Sequence, residues 1–430
     1  MSYYKRTADA LLQDLLDAFG AVLIEGPKWC GKTTTASQLA NSILKMQDPS
    51  MRAEYLVTAK TKPSILLQGD TPRLIDEWQD APMLWDAVRT TVDDRQIPGQ
   101  FILTGSNAVD KSQIHHSGAG RIARLRMLPM SLWESQESTG EVSLKELFNN
   151  SDYDIDGKMS KMTIEDLIFA ASRGGWPASL LARTPKAQLL VAKNYVQTIC
   201  SDDISGIDGR KRDAKLTSMI LRAYARNVST LVKKKSLLDD VTSSGEVSCH
   251  VDTFDDYVAA LEKLFVIQNI SAWCPAIRSK TAIRSSVKRC FCDPSIPIAL
   301  LGLSPEALSM QLRTFGFIFE QMCIRDLKAY TIDLNSHVSY YHDRYDLEAD
   351  IVLHLEDGRY ALIECKLGSC EIDDGAKHLL ELKRLIQEHN KTEKQVPIRE
   401  PDLLIVMTGG TMAYTRPDGV KVIPLACLKD

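Results

Sequence analysis

Apolar and polar positions in the first part of the chain follow two periods, one typical of strands and one typical of helices. Strand patterns of apolar, β-branched residues occur three times, at residues 21–24, 72–79 and 100–107. Helical patterns follow the first two of them, at about 34–44 and 82–93. Strands that alternate with helices are typical of an α/β domain with a parallel sheet, which we predict for residues 1–135.

The next part of the chain is helical after one polar interruption. Residues 138–160 are polar and acidic, and this composition predicts a loop or linker. Helical patterns return at residues 163–172 and 185–199, on either side of a glycine-rich turn. We therefore predict a linker and a helical lid over residues 136–208, in which Arg173 is a candidate phosphate-sensing arginine.

The remaining patterns predict two further domains. Three helical stretches and two short strand patterns follow one another at residues 214–226, 230–241, 251–264, 265–267 and 289–292. Three helices followed by a two-stranded wing are typical of a winged helix, which we predict for residues 209–305. Residues 306–430 show a helix, a hairpin, a second helix and a further strand, which is again an α/β pattern.

Length and composition narrow the classes of protein but identify no partner. At 430 residues the chain exceeds what one hydrophobic core usually supports, so two or three domains are expected. The hydrophobic and charged fractions, 44% and 25%, are those of an ordinary globular protein, and a net charge of -4 gives no chain-wide signal for nucleic acid or membrane. An apolar run at residues 296–303 is too short to span a bilayer.

The N-terminus and the cysteines favour a cytoplasmic protein. The first residues form an amphipathic pattern with acidic side chains, not the apolar core of a signal peptide. The ten cysteines include no Cys-x-x-Cys pair and no spacing typical of a zinc site. We expect reduced thiols, a cytoplasmic location and no association with a membrane.

A phosphate-binding loop follows the first strand. Gly26 and Gly31 bracket four residues and are followed at once by Lys32 and Thr33. This spacing lets backbone N–H groups wrap a triphosphate, while the lysine reaches the β- and γ-phosphates and the threonine hydroxyl binds Mg²⁺. The predicted cofactors are therefore ATP and Mg²⁺. The predicted nucleotide-binding residues are Gly26, Pro27, Lys28, Trp29, Cys30, Gly31, Lys32, Thr33 and Thr34.

Acidic and small polar residues follow the next two strand patterns. Asp76 and Glu77 end the second pattern, and Ser106 and Asn107 end the third. Because ligands bind at the carboxyl ends of parallel strands, we expect all four near the phosphate loop. Asp76 would bind Mg²⁺, Glu77 would orient and deprotonate the attacking water, and Ser106 or Asn107 would lie between the metal and the water.

Three arginines occur in the segment 118–126, after a flexible turn. One of them, with Arg121 ahead of Arg124 and Arg126, could complete the site of a neighbouring subunit as an arginine finger. The alternative is an exposed basic strand.

Four segments together resemble a known family. They are Gly20 to Ala36, Leu74 to Gln79, Leu103 to Asn107 and Met130 to Glu134. They resemble an AAA-type (AAA+) P-loop ATPase family of bacteria and archaea whose C-terminal half is an uncharacterised conserved domain. The resemblance covers essentially the whole chain and implies no particular cellular role.

The resemblance implies an AAA+ fold for the first part of the chain and assigns roles to several residues. Gly26, Lys32 and Thr33 correspond to the Walker A motif. Asp76 and Glu77 correspond to Walker B, and Asn107 lies near the sensor position.

Basic residues gather in the predicted winged helix. They are Arg210, Lys211, Arg212, Lys215, Arg222, Arg226, Lys233, Lys234, Lys235, Arg278, Lys280, Arg284, Lys288 and Arg289. The third helix, which would read DNA, carries Asp252, Asp255, Asp256 and Glu262, and these acids argue against insertion into the major groove. Contact with the DNA backbone and contact with a protein partner both remain open.

The last domain contains a second group of candidate residues. Asp350 and Glu364 lie on the two strands of the hairpin, and Lys366 follows on the same face as Glu364. With Glu320 on the preceding helix, they resemble the PD-(D/E)xK nuclease signature, in which two carboxylates bind Mg²⁺ and the lysine polarises water or the phosphate. The usual proline has no obvious counterpart before Asp350, and such domains often survive as binding modules.

The predicted fold class is α/β: an AAA+ P-loop NTPase domain with a helical lid, followed by a winged-helix domain and an α/β PD-(D/E)xK nuclease-like domain. The leading functional prediction is an ATPase that acts on DNA and assembles as a ring or partial ring. The alternatives are an ATP-gated, Mg²⁺-dependent DNA nuclease and a nucleotide-switched sensor that binds protein partners.

Overall fold

The structure is a computed structural model that describes residues 3–106, 117–243, 245–274, 286–391 and 397–430. The chain forms two compact units. The first unit comprises residues 1–129 and 263–265, and the second comprises residues 130–262 and 266–430. Within the described ranges, no helix is long and apolar enough to cross a membrane. The finer division after residues 135, 208 and 305 stays a prediction.

The first unit consists of a parallel sheet with helices between its strands. Its helices are Ala8–Ala18 (α1), Lys32–Leu39 (α2), Arg52–Thr61 (α3) and Met83–Arg95 (α4). Its strands are Ala21–Glu25 (β1), Ser42–Lys45 (β2), Arg73–Asp76 (β3), Phe101–Gly105 (β4) and Ile122–Arg126 (β5). The strand order is β2-β3-β4-β1-β5, and every neighbouring pair is parallel. The predicted α/β class is confirmed for this part of the chain.

The order of the strands determines where chemistry can occur. β1 and β4 are apolar and buried along nearly their whole length, as strands in the middle of a parallel sheet require. The chain leaves β1 toward β2 at one edge, returns through β3 and β4, and adds β5 on the other side of β1. Loops after β1, β3 and β4 therefore meet at the carboxyl edge of the sheet, at a switch point of the strand order.

The segment after the phosphate loop differs from the prediction. A helix was expected over residues 34–44, but α2 ends at Leu39 and β2 follows as an edge strand. Of the four residues of β2, only Leu44 is buried. A strand with one buried side chain shows almost no alternation of apolar and polar positions. Its residues therefore could not be distinguished from a continuation of the preceding helical pattern.

The second unit begins with helices and ends with a mixed sheet. Its helices before the sheet are Leu144–Asn149 (α5), Ile164–Arg173 (α6), Pro177–Leu181 (α7), Pro185–Thr198 (α8), Ile204–Gly206 (α9), Ala214–Arg226 (α10), Lys234–Thr242 (α11), Val251–Lys263 (α12), Ser295–Leu301 (α13), Pro305–Ser309 (α14) and Leu312–Tyr330 (α15). The last residue of α12, Lys263, belongs to the first unit. Two antiparallel bridges, Ile267 with Phe291 and Ile270 with Lys288, follow α12.

The mixed sheet occupies the C-terminal part of the chain. Its strands are His337–His342 (β7), Glu348–His354 (β8), Tyr360–Lys366 (β9), Leu403–Thr408 (β10), Tyr414–Thr415 (β11) and Lys421–Pro424 (β12). The order is β11-β12-β10-β9-β8-β7, with β10 parallel to β9 and β12 and the other pairs antiparallel. Helix Ile372–Asn390 (α16) connects β9 to β10 and packs its apolar side on the sheet.

Residues 138–160, predicted to be a loop or linker, are folded against the C-terminus. They contain the short strand Val142–Ser143 (β6) and α5, and β6 pairs with the last strand, Leu428–Lys429 (β13). The Ser138 hydroxyl donates to the Leu428 carbonyl at 2.6 Å. Polar residues predict a loop when only neighbours in sequence are considered, whereas these hydrogen bonds join residues almost 300 positions apart.

A buried ion network holds several segments of the second unit together. Arg325 on α15 contacts Asp293 at 3.1 Å and Asp326 at 2.7 Å, and all three side chains are almost fully buried. The two carboxylates also accept backbone N–H bonds, from Gly175 at 2.9 Å and from Leu132 at 3.0 Å. One arginine and two aspartates therefore connect α15 to three segments that are distant in sequence.

We predict that Arg325→Met destabilises the second unit by about 3–5 kcal/mol, because two buried carboxylates lose their only described counter-ion. Urea unfolding followed by circular dichroism measures the loss. Arg344→Ala removes an exposed arginine of the same unit and should change stability by less than about 0.5 kcal/mol. If the two variants unfold at the same urea concentration, the network is not a major source of stability.

Candidate functional site

The loop after β1 depends on two glycines. Gly26 has a φ of +154°, and a Cβ there would lie 2.2 Å from the Met127 carbonyl oxygen at the end of the neighbouring strand β5. Gly31 has a φ of +102°, which a side chain would strain, and it immediately precedes α2. The loop can therefore turn tightly into the helix, so that the first N–H groups of α2 point toward the carboxyl edge of the sheet.

Lys32, the first residue of α2, lies inside this loop. Its side-chain ammonium donates to the carbonyl of Gly26 at 2.9 Å and to that of Pro27 at 2.8 Å, and the residue is only 5% exposed. A buried ammonium is stable only with such partners. The lysine is thus held within reach of any anion that the loop wraps, and it can exchange carbonyl oxygens for phosphate oxygens.

Thr33 and Asp76 meet as the sequence predicts. The Thr33 hydroxyl donates to Asp76 Oδ1 at 2.7 Å, and Thr104 at the end of β4 donates to the same oxygen at 2.6 Å. Two strand ends and the first turn of α2 therefore contribute to one cluster of hydroxyl and carboxylate oxygens. Such hard oxygen ligands suit Mg²⁺, which usually takes one or two protein oxygens and completes its shell with water and substrate phosphates. The residues present fit a magnesium site.

Glu77 is held beside this cluster by an unusual backbone conformation. Its φ of +55° lies in the left-handed region, which is uncommon for a residue with a side chain and directs the carboxylate away from the course of β3. The Ser106 hydroxyl donates to Glu77 Oε1 at 3.0 Å, and the Gln79 amide donates to Oε2. Ser106 therefore positions the carboxylate, whereas its expected place between metal and water stays a prediction.

Two residues near the N-terminus support the loop, and the sequence analysis missed them. The Arg6 guanidinium, which is buried, donates to the Cys30 carbonyl inside the loop and to the Leu128 carbonyl, both at 2.7 Å. The Tyr3 hydroxyl lies 2.9 Å from the Thr35 hydroxyl on α2. A Tyr-x-x-Arg sequence has no recognised link to a phosphate loop, so only the contact across the fold reveals this role.

The other predicted loop residues differ in exposure. Cys30 is fully buried, Trp29 is 42% exposed with a φ of +64°, and Thr34 is exposed on the first turn of α2. Pro27 is buried and presents its carbonyl to Lys32. Lys28 is half-buried.

The predicted sensor and finger residues are less closely tied to the site. Asn107 lies outside the described residues. Arg121 donates to Asp93 at 2.7 Å, with its side chain 47% exposed. Arg124 lies 3.5 Å from Glu25, and Arg126 stacks on Phe265. Arg124 and Arg126 are on an edge strand, which agrees with the alternative of a basic strand, whereas the finger role stays a prediction.

The second candidate group comes together in the C-terminal sheet. Asp350 on β8 accepts a backbone bond from Cys365 on β9 at 2.9 Å, and Glu364 is fully buried next to it. Burial, reinforced by the charge of Asp350, raises the pKa of Glu364 above its usual value. Lys366 lies 2.7 Å from Glu364 Oε2, so the predicted lysine and glutamate form an ion pair.

A further lysine enters this group. Lys288 is 5% exposed, donates to a Glu320 carboxylate oxygen and to the Asp350 carbonyl at 2.9 Å, and lies 3.7 Å from Asp350 Oδ1. Sequence reasoning counted Lys288 among surface residues that could contact DNA, and this placement is wrong because its ammonium is buried. Arg289 is buried as well and donates to the Val232 carbonyl at 3.2 Å.

Several other basic residues of the predicted winged helix form ion pairs within the same region. The pairs are Arg210 with Asp256, Arg212 with Asp208 and Asp256, Lys215 with Glu246, Arg226 with Asp240, and Lys234 with Asp255. Arg212 is 3% exposed, whereas the other four cations are solvent-exposed. Lys211, Arg222, Lys233 and Lys235 are exposed, and Arg278, Lys280 and Arg284 lie outside the described residues.

Arg173, the candidate phosphate-sensing arginine, is also engaged. Its guanidinium contacts Glu137 of the same unit at 2.7 Å and is 6% exposed. The phosphate-sensing role of this arginine stays a prediction.

Three family models match successive parts of the chain. An AAA domain model matches residues 18–136. Two models described as domains of unknown function, DUF8612 and DUF4143, match residues 164–307 and 315–428.

Curated relatives and solved structures are similar at low identity. Uncharacterized proteins of Mycobacterium tuberculosis and Mycobacterium bovis are each 24% identical over 367 residues, covering 83% of this chain and 72% of theirs. A Walker-type ATPase of Pyrococcus abyssi is 11% identical with a TM-score of 0.39, covering 70% of this chain and 96% of its own. A RuvB mutant of Thermotoga maritima is 18% identical with a TM-score of 0.24, covering 61% and 87%. These TM-scores are too low to establish a shared fold.

The AAA domain match and the observed loop agree in position. The match spans β1 to β5, and with them the loop, Lys32, Thr33, Asp76 and Glu77. Residues 18–136, which contain this phosphate loop, therefore match an AAA domain model, and residues 315–428 match the DUF4143 model.

Proposed function

We propose that the protein binds ATP with Mg²⁺ and hydrolyses it at the carboxyl edge of the parallel sheet. The observation that carries the proposal is the hydrogen bond from Thr33 to Asp76, formed between the loop helix and the neighbouring strand end. Lys32 lies in the adjacent loop, and Glu77 directly follows Asp76. A site for phosphate, a site for the cation and a base for water are thus supplied by neighbouring residues.

The roles of the residues follow from their positions. Backbone N–H groups of the loop and the Lys32 ammonium bind the β- and γ-phosphates, and Thr33 and Asp76 hold the cation. A Mg²⁺ ion held by Thr33 and Asp76 would supply positive charge next to the phosphates. Glu77, oriented by Ser106, accepts a proton from the attacking water.

Arg6 acts in this proposal as a positioning residue. It binds the Cys30 carbonyl at one side of the loop and the Leu128 carbonyl just beyond β5, so it ties the loop to the strand end next to it. An ionised donor makes stronger hydrogen bonds than a neutral one, which favours a loop that is already shaped for phosphate.

The second unit supports two finer fold assignments. Residues 209–305 contain α10, α11 and α12 followed by two antiparallel bridges, the order of a winged helix. Residues 306–430 contain a helix, three antiparallel strands, a helix and a parallel strand, which supports the proposal of a PD-(D/E)xK nuclease-like fold. We propose both folds on this element order.

The partner of the second unit distinguishes two versions of the function. Action on DNA is the prediction from sequence, and the ion pairs of residues 209–305 favour its alternative, contact with a protein. Those pairs neutralise much of the local positive charge, whereas DNA binding depends on charge that is available to phosphates. Exposed ion pairs are each worth about 0–1 kcal/mol, so a phosphate could displace them.

Two further features stay predictions within this proposal. Self-association into a ring or partial ring would use Arg121, whose half-exposed guanidinium contacts Asp93 on its own subunit. A cytoplasmic location remains the expectation.

We expect Lys32→Ala and Glu77→Gln to fail at different steps. Lys32→Ala should weaken ATP binding by at least about tenfold, since a charge-assisted hydrogen bond is worth about 1.5–3 kcal/mol. Glu77→Gln should bind ATP normally and lose about 10²–10⁴-fold in turnover, because only activation of water is removed. Equilibrium binding of a fluorescent ATP analogue and phosphate release measure the two steps.

The matched control is Lys60→Ala, which removes an exposed lysine of the same unit and should leave both quantities unchanged. Wild-type ATP affinity in Lys32→Ala would refute the assignment of the loop.

Arg6→Met should raise KM for ATP by about tenfold or more, because two hydrogen bonds from a charged group are lost, one to the loop and one to the segment just beyond β5. The change in kcat should be smaller, since Glu77 and Asp76 are not touched. Arg6→Lys, which keeps the charge and one donor group, should restore part of the affinity. If Arg6→Met lowers the melting temperature while KM stays at the wild-type value, the arginine is structural and does not position the loop.

If the second unit contacts protein, duplex, single-stranded and branched DNA should leave the ATP turnover of the wild-type protein unchanged. Steady-state hydrolysis with each DNA, at low and at moderate salt, measures this. Stimulation or binding that weakens steeply with salt would instead support backbone contact with DNA. In that case the charge reversal Lys233→Glu/Lys235→Glu, at two exposed lysines, should abolish it.

A further inference from the structure

We propose that Lys288 is a built-in cation in the nuclease-like pocket, the buried group formed by Glu320, Asp350, Glu364 and Lys366. Its ammonium stands where a metal-dependent nuclease would hold a divalent metal ion. The inference rests on the proposed nuclease-like fold of residues 306–430. The carboxylates of this pocket bind a segment of the chain itself, and the pocket binds neither Mg²⁺ nor a scissile phosphate.

The position of the ammonium supports this assignment. Lys288 is the residue whose side chain reaches both Glu320 on α15 and Asp350 on β8, two of the acids that the resemblance assigns to the site. It also donates to the Asp350 carbonyl at 2.9 Å. A nuclease places a cation between these same elements to neutralise carboxylates and phosphate, and here the cation is covalently part of the chain.

The remaining acid of the pocket has its own counter-ion. Glu364 is fully buried, and Lys366 lies 2.7 Å from it. In a working site of this class the lysine would face water or phosphate, whereas here its ammonium is paired with the glutamate. Over the described residues, no three His, Cys, Asp or Glu side chains are arranged to hold a metal ion.

The backbone on either side keeps Lys288 in place. Lys288 and Ile270 exchange two backbone hydrogen bonds, of 2.9 and 3.1 Å. Three residues after Ile270, the backbone N–H of Trp273 donates to the Tyr340 carbonyl on β7 at 2.6 Å. The Tyr340 hydroxyl in turn donates to the Ser286 carbonyl. The lysine therefore enters the pocket from a segment that is hydrogen-bonded to the edge of the sheet.

Electrostatics favour the charged form of this lysine. The Lys288 ammonium donates to a Glu320 carboxylate oxygen and lies 3.7 Å from Asp350 Oδ1, so two acidic side chains stabilise its positive charge in this buried environment. A divalent ion would have to enter beside a fixed positive charge, at short distance and in a buried environment, where repulsion is strong.

Lys288 connects two predicted parts of the second unit. The bridges that carry Lys288 belong to the predicted wing of residues 209–305, and the acids belong to the nuclease-like part. The pocket thus fastens the wing to the sheet within the second unit. In this proposal the acids make a structural contact with Lys288 and do not catalyse cleavage of nucleic acid.

The experiment measures binding of Mn²⁺ to the full-length protein without nucleotide, by the loss of the free Mn²⁺ signal in electron paramagnetic resonance. The wild-type protein and its Asp350→Asn variant should bind the same amount of Mn²⁺. Lys288→Ala should gain one Mn²⁺ per chain, and Lys288→Ala/Asp350→Asn should lose it again. Lys377→Ala, which removes an exposed lysine on α16, should behave like the wild type.

A second variant covers the case in which Lys288→Ala does not fold. Lys288→Met/Glu320→Gln removes the ammonium together with one carboxylate, so the buried charge stays balanced while Asp350 and Glu364 remain. It should also gain a Mn²⁺ site. Circular dichroism checks that each variant is folded.

Two outcomes would overturn the proposal. One is Mn²⁺ binding, or Mn²⁺-dependent DNA cleavage, by the wild type that disappears in Asp350→Asn. The other is a folded Lys288 variant that gains no Mn²⁺ site, because the lysine would then not be what excludes the metal. ATP turnover is measured on the same samples, so that a failure of the proposed ATPase is recognised independently of this result.

Discussion

The cost of removing a charged group from water governs both units of this protein. Lys32 in the phosphate loop, Arg325 in the helical part and Lys288 in the C-terminal pocket are all buried, and each is surrounded by oxygens that compensate for lost hydration. In the first unit the partners are backbone carbonyls, which a phosphate can replace. In the second unit the partners are carboxylates, which make permanent ion pairs. The same constraint thus gives Lys32 neutral partners that a ligand could displace, and it gives Arg325 and Lys288 charged partners within their own unit.

The parallel sheet of the first unit brings polar groups from distant parts of the sequence together at one edge. Its strand order brings three loops to one edge, so Thr33, Asp76 and Thr104 share hydrogen bonds although they are far apart in sequence. Gly26, where a Cβ would meet the Met127 carbonyl, and Gly31, with a φ of +102°, allow the tight turn of the loop into α2. Arg6 stabilises the loop by donating a hydrogen bond to the Cys30 carbonyl. Catalysis by positioning, as phosphoryl transfer requires, depends on how well such groups are held in place before the substrate arrives.

The second unit shows how residue types typical of function can be used for packing. Arginines and lysines that suggest a nucleic-acid surface pair with nearby acids, and one of them, Arg212, is buried between Asp208 and Asp256. The acids that suggest a metal site accept an ammonium from Lys288. The amino-acid composition shows only how many charged residues are present. Whether a charge faces a ligand or another side chain depends on the neighbours that folding supplies.

The sequence by itself determined the α/β class of the first part, the phosphate loop and the acids at the end of β3. These features depend on the spacing of neighbouring residues, and strand, loop and helix periodicities are local. Only the tertiary structure decided that residues 138–160 fold against the C-terminus, that Arg6 supports the loop and that Lys288 enters the acidic pocket. Each of these contacts joins residues that are far apart along the chain, and no spacing in the sequence predicts them. The residues meet in space only because the rest of the unit packs and pairs its charges around them.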